Sequence, residues 1–141
     1  MIYFCFWTAR LASCFTFLAE LRYLYLGIIQ QRDDDDAGVR LVLQALRQLT
    51  SPHLRSLTIY VVLSQKMSSY AFDAWSELGK LIDSPQFSRT LCELVIEFQD
   101  SEWRNIEAVQ ARDAWVAEKF PLCAAHGILR IYSFANPAGS C

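Results

Sequence analysis

The sequence predicts an α/β fold, a parallel sheet with helical crossovers repeated as a short solenoid of about four strands. Three observations carry that expectation. The apolar period switches repeatedly between two and three-to-four residues, so strand and helix alternate along the chain. The same strand motif, L-x-x-L-x-[LI], recurs as Leu21-x-x-Leu24-x-Leu26, Leu54-x-x-Leu57-x-Ile59 and Leu91-x-x-Leu94-x-Ile96, with its second half in Leu129-x-Ile131. The middle leucines lie 33, 37 and 35 residues apart, and a near-fixed period of strand plus helix marks a repeat architecture.

Each element follows from its spacing. Phe4, Trp7, Leu11, Cys14, Phe15, Leu18 and Leu21 step by three and four, which makes residues 1–20 an apolar helix or cap. Arg10, Glu20 and Arg22 interrupt any run long enough to span a membrane, and no small-residue cleavage pattern follows, which sets a core helix above a secretory signal. Leu24, Leu26 and Ile28 alternate as a strand near 22–28, and Val39, Val42, Leu43, Leu46 and Leu49 return to helical spacing. Leu57, Ile59 and Val61 define a strand near 55–62, followed by a helix over 70–82 with Ala71, Trp75, Leu78 and Ile82 on one face. Leu94, Ile96 and Phe98 define a strand near 92–98, and Ile106, Val109, Val116 and Phe120 a helix. Leu129 and Ile131 form the last strand, near 128–133, and residues 135–141 a flexible tail. Pro52, Pro85 and Pro121 follow helix ends, where a proline stops the helix and returns the chain to an extended path. One domain of 141 residues results, with repeats over 21–134.

The period exceeds the 20–29 residues usual in leucine-rich repeats, so each crossover must hold a full helix. Because strand residues alternate in facing, Leu24, Leu57, Leu94 and Leu129 point to the core and the intervening residues point out. The outward rungs read Tyr25, Thr58, Val95, Arg130 and then Gly27, Tyr60, Glu97, Tyr132. Tyrosines with one arginine and one glutamate favour a partner-binding surface, since Tyr and Arg are enriched at interaction hot spots. Tyr25, Thr58, Tyr60, Val95, Glu97, Arg130 and Tyr132 are therefore the candidate site, and a protein or peptide is the expected partner.

The segment Ser51-Pro52-x-Leu54-x-x-Leu57-x-Ile59, then Trp75-x-x-Leu78-x-x-Leu81-x-x-Ser84-Pro85-x-Phe87, then Leu91-x-x-Leu94-x-Ile96, then Phe120-Pro121-Leu122 with Gly127-x-Leu129-x-Ile131 resembles a known region. It is similar to the C-terminal leucine-rich-repeat-like region of the expanded fungal F-box-type proteins. The resemblance implies a substrate-recognition solenoid behind an F-box, the helical module that docks on the adaptor of a cullin-type ubiquitin ligase. No segment before Leu21 reads as an F-box, with its early Leu-Pro and following helices. The adaptor is thus an expected partner only where an F-box precedes the chain, and the expectation is the recognition half of a truncated protein.

Other chemistry is less favoured. A net charge of −2 argues against a nucleic-acid partner, which calls for a basic face. Cys5, Cys14, Cys92, Cys123 and Cys141 form no C-x-x-C pair and have no histidine at ligand spacing, so no metal site is expected, and unpaired thiols fit the cytoplasm or nucleus. The run Asp33-Asp34-Asp35-Asp36 reads as a helix-capping loop. With Asp100 it also offers the oxygen ligands of an Mg²⁺-dependent or phospho-acceptor protein of the receiver kind, the alternative function. A non-functional fragment is the third reading. His53 and His126 fall in loops, no G-x-S-x-G elbow or glycine-rich phosphate loop is present, and neither catalysis nor a cofactor is expected. Trp75 and Trp115 are expected in packing between repeats, and Trp103 at a helix start.

Overall fold

Leucine and β-branched residues at every second position build four strands, and a computed structural model shows how they pair. It describes residues 21–30, 37–49, 53–63, 73–100 and 104–135. Strand β1 (Tyr23–Gln30) leads to helix α1 (Ala37–Gln48), β2 (Ser56–Leu63) to α2 (Asp73–Ile82) and the short α3 (Pro85–Ser88). Then β3 (Glu93–Asp100) leads to α4 (Ile106–Lys119), α5 (Pro121–Ala125) and β4 (Leu129–Ala135). All four strands are parallel in the order β1-β2-β3-β4, so the sheet is open and each crossover joins neighbours. The expected N-terminal helix, the Asp33–Asp36 run, Ser51-Pro52, Tyr70 and Ala71, Trp103 and residues 136–141 of the expected tail lie outside the described residues, while Ala135, expected in the tail, ends β4.

Repetition sets the register. Leu24 pairs with Leu57, Leu57 with Leu94 and Leu94 with Leu129, the alignment that the motif spacing predicts. The chain enters the second and third strands by the same hydrogen bonds. Arg22 O accepts from Arg55 N and Ser56 N at 2.8 and 3.0 Å, and Arg55 O accepts from Cys92 N and Glu93 N at 2.7 and 3.1 Å. Corresponding residues at the starts of β2 and β3 thus adopt one local geometry.

One face of the sheet carries the core. Leu24, Leu26, Ile28, Leu57, Ile59, Val61, Leu94, Ile96 and Phe98 are buried together with Val42, Leu46, Trp75, Leu78, Ile82, Val116 and Phe120 from the helices. Burying one such large apolar side chain contributes about 1.5–3 kcal/mol relative to leaving it in water. Trp75 anchors the helix layer, with its ring 5.7 Å from Trp115 and 6.4 Å from Phe120, both edge-on. Gly79 permits this approach, since a Cβ there would lie 1.8 Å from the carbonyl oxygen of Lys119.

Three details depart from the sequence reading. Pro85 and Pro121 each stop a helix but also open a short one, α3 and α5, because proline's fixed φ and missing N–H suit the first helical position. Phe87 and Cys123 in these turns are buried, so the turns add core before the next strand. Ile106, expected on the apolar face of α4, is 70 % exposed. In its place Arg112 faces the core at 1 % exposure, its guanidinium 4.3 Å from the Phe98 ring centroid and donating to Ser133 Oγ on β4.

Candidate functional site

Because the core side chains occupy one face, their alternates occupy the other. The pairing aligns Tyr25, Thr58, Val95 and Arg130 in one rung and Gly27, Tyr60, Glu97 and Tyr132 in the next, as the sequence predicts. Tyr23 and Phe134, which the sequence reading did not select, extend the same face at its two ends. Tyr23, Tyr132 and Phe134 are 48, 45 and 46 % exposed, so large aromatic surface meets solvent at both edges of the sheet. The alternation that found Tyr25 and Tyr132 reaches these two positions as well, two residues before and after.

One candidate differs from its expected role. Val95 lies on this face but is only 5 % exposed, so it offers almost no surface to a partner. Thr58, Tyr60, Tyr25 and Glu97 are half-buried, and Arg130 is exposed.

The second rung brings the polar groups together. Glu97 on β3 stands in register between Tyr60 on β2 and Tyr132 on β4. Tyr25 reaches it from two strands away: its ring stacks on Tyr60, with centroids 6.0 Å apart and planes at 29°, and its hydroxyl donates to Glu97 Oε2 at 3.4 Å. Gly27 supplies no side chain to this rung. Beside the cluster, Tyr132 packs on Phe134 with centroids 6.4 Å apart. Three phenols thus surround one carboxylate on a rigid backbone, and no ion pair engages Glu97 among the described residues.

The helix side of the molecule holds an open groove. Ser76, Gly79, Lys80, Asp83, Glu118 and Lys119 line most of its volume of about 410 Å³, between α2 and the end of α4. Its charges are mixed, and Lys119 is engaged there, donating to Ser76 Oγ at 3.1 Å while lying 5.5 Å from the Trp115 ring centroid. Nearby, burial pushes the Cys123 thiol up to about 11, with the Asp83 charge adding to the effect, and the thiol faces Asp83 Oδ1 at 3.9 Å. Burial also holds Asp83 above the ordinary carboxylate range, against the backbone N–H of Leu122, Cys123 and the charge of His126. A thiol so placed stays protonated and acts as a buried donor, the reverse of an activated nucleophile.

The remaining candidates are dispersed. His53 sits in an exposed turn before β2, and His126 caps α5. Cys92 is exposed and free, and no group of three or more metal-ligating side chains forms among the described residues. No described helix is long and apolar enough to cross a membrane. Comparison with family models, curated proteins and solved structures returns no match.

Proposed function

We propose that this chain is a protein- or peptide-binding module, a short leucine-rich-repeat-like solenoid that recognises its partner on the strand face and acts without catalysis. The observation that carries the reading is the pair of in-register rungs, which hold Tyr25, Tyr60, Glu97, Arg130 and Tyr132 on the face of a parallel sheet opposite its buried core residues. Backbone pairing across all four strands fixes these side chains before a partner arrives, so little ordering entropy is lost on docking. Tyrosine rings give amphipathic contact area, and Glu97 and Arg130 give charge selection. The resemblance to fungal F-box-type proteins supports the finer assignment, the substrate-recognition half of a ubiquitin-ligase receptor.

Selection of a random peptide library on the full chain tests the reading. Selected peptides should lose most of their binding to a Tyr60→Ala, Tyr132→Ala double variant that melts like the parent. Peptides that bind that variant as well as the parent would place recognition elsewhere.

A further inference from the structure

The cluster around Glu97 has a composition that selects for charge. A carboxylate presents its own negative charge, and the faces of phenol rings carry the negative end of the aromatic quadrupole, so both attract a cation. Tyr60 and Tyr132 flank Glu97 in register, and Tyr25 stacks on Tyr60 while its hydroxyl holds Glu97 Oε2. Described outward side chains on the neighbouring strands supply only Arg130 as a cation, one rung away opposite Val95, and it forms no ion pair with Glu97. The negative site is thus assembled but not neutralised from within the described residues.

Resting on the strand-face reading above, we infer that the partner inserts a lysine-type alkylammonium between Tyr60 and Tyr132, against Glu97. The choice of an ammonium over a guanidinium follows from the hydrogen bonding. Tyr25 already donates to one carboxylate oxygen, at 3.4 Å, so an arginine fork would have to share that oxygen with the tyrosine hydroxyl, whereas an ammonium can use the other oxygen alone. A compact ammonium needs one strong acceptor and can spend its remaining faces on the rings. The lysine stem would then lie along exposed Tyr132 and Phe134.

The test is a titration of the ¹⁵N-labelled full chain with Nα-acetyl-lysine N-methylamide, followed by amide and tyrosine chemical shifts. The same compound acetylated on Nζ, which keeps the stem and removes the charge, is the control, and the arginine analogue is a third arm. The lysine compound should give saturable shifts at Tyr25, Tyr60, Glu97 and Tyr132 with a dissociation constant in the millimolar range. Acetylation, or Glu97→Gln in the protein, should weaken binding roughly tenfold or more, and the arginine compound should bind more weakly than lysine. Equal shifts from the acetylated compound, preference for arginine, or no saturable shift would overturn the inference. Should Glu97→Gln disturb the spectrum elsewhere, the acetylated control on the parent protein decides alone. Library peptides that bind the strand face without enrichment in lysine would sink this inference and leave the binding reading standing. Selected peptides that bind the Tyr60→Ala, Tyr132→Ala variant as well as the parent would sink the strand-face reading and this inference with it.

Discussion

Replacing Gly79 by alanine should destabilise the fold, although helix propensity alone predicts the opposite. Gly79 lies inside α2, where alanine is favoured over glycine by about 1 kcal/mol. The added Cβ, however, would stand 1.8 Å from the Lys119 carbonyl oxygen and 2.9 Å from its carbon, roughly 1.5 Å short of ordinary contact. Both atoms are backbone at the end of α4, so the clash cannot be relieved by turning a side chain. The two helices must part, and that opens the packing of Trp75 on Trp115 and Phe120. Overpacking against an unyielding neighbour costs about 3 kcal/mol, the upper part of the usual range, and the propensity gain leaves a net loss of about 2 kcal/mol. For a chain of this size that lowers Tm by roughly 6–8 °C. Calorimetry or a circular-dichroism melt of the parent and Gly79→Ala measures it. An unchanged or raised Tm would show that α2 and the end of α4 do not meet as described.

Further outcomes follow from buried polar groups. Burial holds Asp113 above the ordinary carboxylate range, opposed by the charge of Arg112, and its Oδ1 is buried without a hydrogen-bond partner. With the folded pKa above the unfolded one, ionisation opposes folding at neutral pH and the penalty fades as pH falls through the folded pKa toward 3.8. Asp113→Asn should therefore melt above the parent at pH 7, with the gap closing toward pH 4; a gap that widens on acidification would reverse the assignment. Alkylation at pH 8 followed by peptide mass spectrometry should modify exposed Cys92 roughly tenfold or more faster than Cys123, whose thiol is pushed up to about 11. Comparable rates at the two cysteines would mean that α5 does not pack as described.

The strand ladders were legible because two simple periods govern them. The L-x-x-L-x-[LI] motif fixes which residues face the core, and its recurrence fixes which residues pair, so Tyr25 with Thr58 and Tyr60 with Glu97 could be read from spacing alone. Helices α1 and α2 were equally plain, since Val42, Leu46, Leu78 and Ile82 all bury where their spacing places them. Helix α4 was harder, because its inward face is interrupted by a charge. Arg112 sits three residues after Val109 and four before Val116, an inward position by the same rule, and Ser133 is the inward residue two after Ile131. Read together, those two polar residues at core positions point to a buried pair; read singly, each looks like a lapse of pattern. The short turns α3 and α5 are not legible in the sequence because proline after a helix reads as a stop, whereas here it serves as both stop and start. The Tyr25 bond to Glu97 spans two strands and depends on side-chain lean, which periodicity does not encode.

One face of the sheet holds the fold, and the other is the face proposed to meet a partner. Leu57 is fully buried on the first face and Tyr60 half-buried on the second, three residues apart on one strand. The most direct measurement is a parallel pair of Tm and peptide-affinity determinations on Leu57→Ala and Tyr60→Ala, with a peptide selected on the parent chain. The account predicts that Leu57→Ala loses about 2–5 kcal/mol of stability, while Tyr60→Ala keeps its melting behaviour and binds the peptide at least roughly tenfold more weakly. A Tyr60→Ala variant that unfolds, or that melts normally and binds as tightly as the parent, would contradict it.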